Sequence, residues 1–142
     1  MLSQFSYPII CSDNFEQTVA FYEDHFEFVP SLEMEGFVIL SRETWQNVYL
    51  AVIDCNHEAI PERFRKPVSG MILNFPTDNV QKIYDRLYDE GLDIVSEPVD
   101  AKCGRKHFYV EDPNGILIDV AEEVDMTTLM SPEELKDLCF VA

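Results

Sequence analysis

An internal repeat constrains this chain more than any other feature of its sequence. When the chain is shifted by 65 residues onto itself, Asp13-Asn14-Phe15 falls on Asp78-Asn79-Val80, and Tyr22 falls on Leu87. Both copies show a short apolar run, a segment with apolar residues every three or four positions, and three further short apolar runs. The repeat therefore predicts an α+β fold made of two β-α-β-β-β modules.

The first copy predicts a strand at 5–11, a helix from Asn14 and strands at 27–33, 36–42 and 48–54. The second copy predicts a strand at 70–76, a helix at 79–90 and strands at 92–95, 106–111 and 116–121. Gly91 ends the second helix, and Asp112-Pro113-Asn114-Gly115 forms a turn between the last two strands.

The repeat also sets the domain organisation that we expect. One domain covers 1–123, with module one at 5–55, a polar linker with two prolines at 56–68, and module two at 69–123. An extension at 124–142 lies outside the repeat. Its Ser131-Pro132-Glu133-Glu134 is a capping box that predicts a short C-terminal helix.

Charge excludes several classes of partner. The chain has 27 acidic and 10 basic side chains, a formal net charge of -17, and no basic cluster of more than three residues. Such a surface repels phosphate backbones and anionic lipid, so we expect neither nucleic-acid nor membrane binding. The four cysteines are scattered without a C-x-x-C pair, and no secretory signal or membrane span is visible, which predicts a cytoplasmic protein with reduced thiols.

Two motifs carry a resemblance to a known family. The stretch DNFEQTVAFYEDHFEF at 13–28 and the stretch HFYVEDPNGILIDVAEE at 107–123 resemble the helix entry and the final-strand exit of the vicinal oxygen chelate superfamily. This superfamily contains glyoxalases, bleomycin resistance proteins and ring-cleaving dioxygenases. The resemblance covers about residues 5–123 and implies a cup-shaped, eight-stranded mixed sheet around a ligand cavity, in a protein that forms a homodimer.

The resemblance also implies where a catalytic metal would be held. Family enzymes use four His or Glu side chains, one each from the first and last strands of the two modules. The corresponding positions here are Tyr7 or Ser6, Ala51 or Val52, Ile72 or Met71, and Asp119. Only Asp119 is a carboxylate, and a phenolate ligand at Tyr7 would be costly. We therefore expect no metal and no other cofactor.

The remaining candidate residues suggest a binding site. His107 lies in phase with Tyr109 and Glu111 on a predicted strand, so it is a candidate ligand contact or general base. His25 and His57 are expected to be surface residues. Cys11 faces the cavity side of the first strand, where it is expected to fill the wall. The ligand-binding residues that we predict are Tyr7, Cys11, Trp45, Asn74, His107, Tyr109 and Asp119.

Three functions are compatible with these residues. The first is a metal-free protein that binds a small molecule, with cationic molecules among the candidates, in the cup or at a dimer groove, similar to the antibiotic-resistance branch of the superfamily. The second is a metal-dependent lyase, isomerase or dioxygenase whose ligand set has moved to His107, Asp119 and either Glu111 or Tyr7. The third is a regulatory or scaffold module that acts through the C-terminal helix. Because only one of the four family ligand positions holds a carboxylate and none holds a histidine, we favour binding over catalysis.

Overall fold

The computed structural model describes residues 1, 6–42, 48–100 and 105–122. These residues form two helices and eight strands, arranged in two four-stranded mixed sheets. The α+β class and the two β-α-β-β-β modules predicted from the repeat are confirmed. The predicted C-terminal helix and Trp45 lie outside the described residues. Among the described residues, neither helix is long and apolar enough to cross a membrane.

The chain divides into two compact units. The first consists of Met1–Met71 together with Asp112–Ile116, and the second of Ile72–Glu111 together with the chain from Leu117 onward.

The first unit contains the first sheet. Its elements are β1 (Ile9–Ser12), α1 (Phe15–Phe26), β2 (Val29–Met34), β3 (Phe37–Ser41) and β4 (Tyr49–Asp54). The strand order is β1-β4-β3-β2, with β1 parallel to β4 and the other pairs antiparallel. A single 3-10 turn, Glu62–Phe64, lies in the predicted linker.

The second unit repeats this arrangement with β5 (Ile72–Thr77), α2 (Val80–Asp89), β6 (Val99–Asp100), β7 (Lys106–Glu111) and β8 (Leu117–Glu122). The order is β5-β8-β7-β6, again with one parallel pair, β5 and β8. The prediction of a strand at 92–95 is wrong. That segment makes only an isolated bridge between Ile94 and Val110, and the strand that pairs with β7 comes later, at β6.

Strand alternation explains which face of each sheet its helix covers. In the first sheet Ile10, Leu40 and Val52 are fully buried on the face that α1 packs against, whereas Ile9, on the other face, is half exposed. In the second sheet Phe108 and Ile118 are fully buried on the α2 face. Successive side chains of a strand point to opposite faces. The odd-numbered residues of β7 and β8 therefore lie on the face opposite α2.

A buried polar network holds the turn Asp112–Ile116 within the first unit. The hydroxyl of Tyr22, a fully buried residue of α1, donates a hydrogen bond of 2.8 Å to Oδ2 of Asp112. Oδ1 of Asp112 accepts the backbone N–H groups of Asn114 and Ile116, both at 2.8 Å. One carboxylate therefore shapes its own turn and anchors that turn to α1.

Asn114 extends this network to β1. Its side-chain amide donates to the hydroxyl of Thr18 at 2.9 Å, and its side-chain oxygen accepts a 2.6 Å hydrogen bond from the hydroxyl of Ser12. Ser12 and Thr18 are fully buried, so these partners satisfy polar groups that would otherwise be costly to bury. Tyr22 and Thr18 of the first motif thus meet Asp112 and Asn114 of the second motif in one hydrogen-bonded cluster.

We expect Tyr22→Phe to lower the free energy of unfolding by about 1–3 kcal/mol, because it removes a buried hydrogen bond to a carboxylate while keeping the ring. Urea unfolding followed by circular dichroism measures this change. Tyr88→Phe is the matched control, since Tyr88 is 65% exposed. Equal stability of the Tyr22→Phe variant and the natural protein would show that the network contributes nothing.

Glu27 ends α1 in the left-handed conformation, with φ at +61°. A side chain in this region costs roughly 1–2 kcal/mol, and glycine avoids that cost. Its carboxylate also lies 3.4 Å from Arg42, but Glu27 is 63% exposed there, so that ion pair contributes little. We expect Glu27→Gly to be more stable to urea than Glu27→Gln, which loses the charge but keeps the strain. A Gln variant as stable as the Gly variant would contradict this assignment of strain.

Candidate functional site

Four of the predicted ligand-binding residues lie on the face of the second sheet opposite α2. In the strand register Asp119 of β8 stands between Asn74 of β5 and Tyr109 of β7, and His107 lies two residues before Tyr109. The two-residue period of a strand predicted that His107 and Tyr109 share one face, and they do so in the structure. We call Asn74, His107, Tyr109 and Asp119 the polar face cluster.

Asp119 is the centre of this cluster. Its Oδ1 lies 3.0 Å from Nδ1 of His107, and its Oδ2 accepts a hydrogen bond of 3.1 Å from the side-chain amide of Asn74. The side chains of His107 and Asp119 are only 6% and 10% exposed. A carboxylate buried to this degree needs polar partners, and here each of its two oxygens has one.

Tyr109 completes the cluster beside the imidazole. The two rings meet edge to face with their centroids 5.1 Å apart, and Tyr109 is half-buried. Burial raises the pKa of the Tyr109 hydroxyl above its ordinary value, and the negative charge of Asp119 raises it further, while Arg105 opposes both. The cluster therefore favours neutral or positive groups over additional negative charge.

The nitrogen Nε2 of His107 is the unusual atom of the site. It is buried and has no hydrogen-bond partner among the residues that the structure describes. Nearly all buried polar groups in folded proteins are paired, so an unpaired ring nitrogen on a sheet face is a feature that needs an explanation.

The first module provides an internal comparison. The strand registers of the two sheets place Ile9, Phe37, Ile39 and Ala51 at the positions equivalent to Asn74, His107, Tyr109 and Asp119. All four residues of the first sheet are apolar. The repeat alone therefore does not require polar residues on this face, and only the second module carries them.

The other predicted ligand-binding residues belong to the first unit. The rings of Tyr7 and Tyr49 lie 6.3 Å apart, and Tyr7 is partly exposed. Cys11 is half-buried, and burial, followed by the charge of Cys55, raises the pKa of its thiol, so it is not an activated nucleophile.

The other two histidines are less solvated than the sequence analysis expected. His25 is half-buried with its ring 5.4 Å from that of Phe21. His57 is half-buried as well, and its Nδ1 accepts the backbone N–H of Ala59 at 3.1 Å. Neither lies on the face that carries the polar face cluster.

The side chains present do not fit the metal that family enzymes hold. Across the described ranges no group of three or more His, Cys, Asp and Glu side chains is arranged to hold a metal ion. Asp119 is the one carboxylate at a family ligand position, and both of its oxygens are already engaged by His107 and Asn74. We therefore derive no chemical step through a metal.

Two apolar residues lie on the same face as the cluster, Ile72 and Val99, which are 62% and 51% exposed. The sequence analysis named Ile72 as a family ligand position, but its exposure as apolar surface leaves no signal in the sequence. Val99 was missed, because the strand that pairs with β7 was assigned to 92–95 and this error concealed its pairing with His107.

Comparison with known proteins identifies similar sequences and folds. The family model for the Glyoxalase/Bleomycin resistance protein/Dioxygenase superfamily matches residues 4–120. No sequence among the curated proteins matches the chain significantly.

Solved structures share the fold at low identity. A superfamily member from Sphaerobacter thermophilus has a TM-score of 0.70 at 19% identity, covering 86% of this chain and 98% of that one. A lactoylglutathione lyase from Agrobacterium tumefaciens has a TM-score of 0.68 at 20% identity, covering 86% and 95%. A bleomycin resistance determinant encoded on the transposon Tn5 has a TM-score of 0.61 at 20% identity, covering 85% and 98%.

The electrostatics of the polar face cluster can be checked by titration. Asp119→Asn removes the charge that disfavours the phenolate, so we expect it to lower the pKa of Tyr109. Absorbance at 295 nm follows tyrosine ionisation, and a Tyr109→Phe variant identifies which part of the signal is Tyr109. Glu111→Gln is the control because it removes a charge from the same strand without acting on Tyr109. An unchanged Tyr109 pKa in Asp119→Asn would contradict the described contact.

Proposed function

Because the chain belongs to the glyoxalase, bleomycin resistance protein and dioxygenase superfamily, we propose that it binds a small molecule on the polar face cluster of its second sheet, without a metal. One observation carries this proposal. Asp119 and His107 are buried on a sheet face, Asp119 accepts a hydrogen bond from the exposed Asn74, and Nε2 of His107 has no hydrogen-bond partner among the described residues. Binding sites use a few convergent polar groups of this kind to fix the orientation of a ligand.

The surroundings of the cluster support a small organic ligand. Binding sites of this type combine apolar walls with a few placed polar groups. Ile72 and Val99 supply exposed apolar surface beside Asp119 and His107 on the same face. A ligand with a polar head and an apolar body would cover both kinds of surface.

The charge of the site favours a cationic head. The cluster contains one carboxylate, and its histidine is neutral unless protonated, so its charge is negative when His107 is neutral. The formal net charge of -17 adds a long-range field that concentrates cations around the protein. One similar structure is that of a bleomycin resistance determinant, so bleomycin-like polycations are the first ligands to test.

The alternative of a metal-dependent enzyme receives less support. A displaced ligand set would need His107 and Asp119 as donors, yet Nδ1 of the histidine and both oxygens of the carboxylate already bind partners within the cluster. Glu111, one of the two candidates with Tyr7 for the third member of such a set, is exposed at the end of β7. The cytoplasmic location, the homodimer and the absence of a cofactor stay predictions of the sequence.

The proposal is tested by isothermal titration of the full chain with bleomycin, phleomycin and the simpler polycation spermine. We expect Asp119→Asn to weaken the binding of a cationic ligand roughly tenfold or more, because it removes the central charge while keeping the shape. Glu62→Gln is the matched control, since it removes one exposed carboxylate from the first unit and should leave affinity within about twofold.

Two results would contradict the proposal. One is the absence of binding by every compound at millimolar concentration. The other is equal weakening by Asp119→Asn and Glu62→Gln, because it would show that total charge rather than the polar face cluster attracts the ligand.

A further inference from the structure

The unpaired nitrogen of His107 allows the ligand of this site to be described more closely. Given the proposed function, this nitrogen determines the kind of atom that the ligand must present. The hydrogen bonds of Asp119 determine where the proton of the imidazole lies.

An ionised carboxylate only accepts hydrogen bonds. Asn74 donates its amide to Oδ2 of Asp119, so the short contact of 3.0 Å between Oδ1 and Nδ1 of His107 requires a proton on Nδ1. A neutral imidazole carries a single N–H, and therefore Nε2 carries the lone pair. For a neutral imidazole beside an ionised Asp119, the tautomer is thus the one whose free nitrogen is a hydrogen-bond acceptor.

The described residues supply no donor for this acceptor. In that part of the chain Nε2 is buried and accepts no hydrogen bond, and the ring of the neighbouring Tyr109 meets the imidazole in an edge-to-face arrangement. Val99, opposite His107 on β6, has no side-chain donor. A buried acceptor without a donor is unfavourable, and a molecule that brings an N–H or O–H group to it would recover that free energy.

The equivalent position of the first module shows that this acceptor is not demanded by the fold. Phe37 occupies it, so the equivalent side chain of the first sheet carries no polar atom. An imidazole costs more to bury than a phenyl ring in the same place, and this cost is explained if Nε2 has a partner in the working protein.

We propose that Nε2 of His107 accepts a hydrogen bond from the bound molecule, and that the site therefore selects ligands whose head group carries an N–H or O–H donor. Primary ammonium, amidinium and hydroxyl heads satisfy it. A quaternary ammonium has the favourable charge but no donor, and a carboxylate has neither. His107 is in this sense a specificity-determining residue, and Asp119 is its positioning residue.

Access to Nε2 requires a small local movement. The nitrogen is covered, so a donor group reaches it only when a neighbouring side chain turns aside. Tyr109 is one such neighbour, because its ring lies 5.1 Å from the imidazole and is itself half-buried. Side-chain rotation of this kind is fast compared with ligand dissociation and needs no change in the sheet.

Three probes with the same benzyl body and different head groups separate donor from charge. Benzylammonium carries both, benzyltrimethylammonium carries the charge alone, and benzyl alcohol carries the donor alone. Binding of each to the full chain is measured by saturation-transfer NMR with titration. We expect benzylammonium to bind about tenfold more tightly than benzyltrimethylammonium, since only the former satisfies the buried acceptor.

Two substitutions test the role of the nitrogen. His107→Asn keeps an amide N–H near Nδ1 for Asp119 but has no atom near Nε2, so it should abolish the preference for benzylammonium. His107→Gln places an amide oxygen near Nε2, so it should restore the preference to within about threefold. Thermal unfolding of both variants controls for loss of the fold.

The tautomer is tested on the free protein. Long-range ¹H–¹⁵N NMR distinguishes an Nδ1–H from an Nε2–H imidazole, and the chain has only three histidines, so the His107 signal is identified by its loss in His107→Asn. We expect the Nδ1–H form.

The outcomes separate this inference from the proposed function. An Nε2–H tautomer, or equal binding of benzylammonium and benzyltrimethylammonium that is still weakened by Asp119→Asn, overturns the donor requirement and leaves a cation site. The absence of binding by all three probes overturns the proposed function itself, and the donor requirement with it.

Discussion

The hydrogen bond between Tyr22 and Asp112 is the interaction on which the first unit depends. It joins two residues that are 90 positions apart in the chain and buries both of them. The same carboxylate shapes the turn Asp112–Ile116, whose Asn114 then binds Ser12 and Thr18. A turn donated by the second module is therefore part of the folded first unit. Loop closure over such a distance costs entropy, and the cluster of buried polar contacts offsets it.

This cluster explains why a short pair of motifs was informative about the fold. Tyr22 at the middle of α1 lies in the first motif and Asp112 at the start of the turn lies in the second, and each is the buried hydrogen-bond partner of the other. The spacing of apolar residues predicted both modules and their helices, because the apolar stripes of α1 and α2 face their sheets. It misplaced β6, because the segment at 92–95 has strand-like residues but pairs with β7 only at Ile94.

The candidate site was predictable in part. Period two placed His107 and Tyr109 on one face, and the family position identified Asp119. The contact of Asn74 with Asp119 depends on the parallel register of β5 and β8, which the sequence does not specify. The burial of the imidazole and the exposure of Ile72 depend on packing that no local pattern reports. The two modules also differ at this position, because Phe37 of the first module is equivalent to His107 of the second. The strand registers of the structure establish this equivalence.

The two hydrogen bonds of Asp119 have a consequence for how this protein can change. Because β8 lies between β5 and β7, a single carboxylate on β8 ties side chains of three adjacent strands together. A substitution by a residue that cannot form hydrogen bonds would break both of these contacts as well as any ligand contact, so the centre of the face resists such changes. Ile72 and Val99 have apolar side chains that form no such hydrogen bonds. Evolution or a protein engineer would therefore alter the ligand preference at this apolar margin, where variation leaves the folded framework intact.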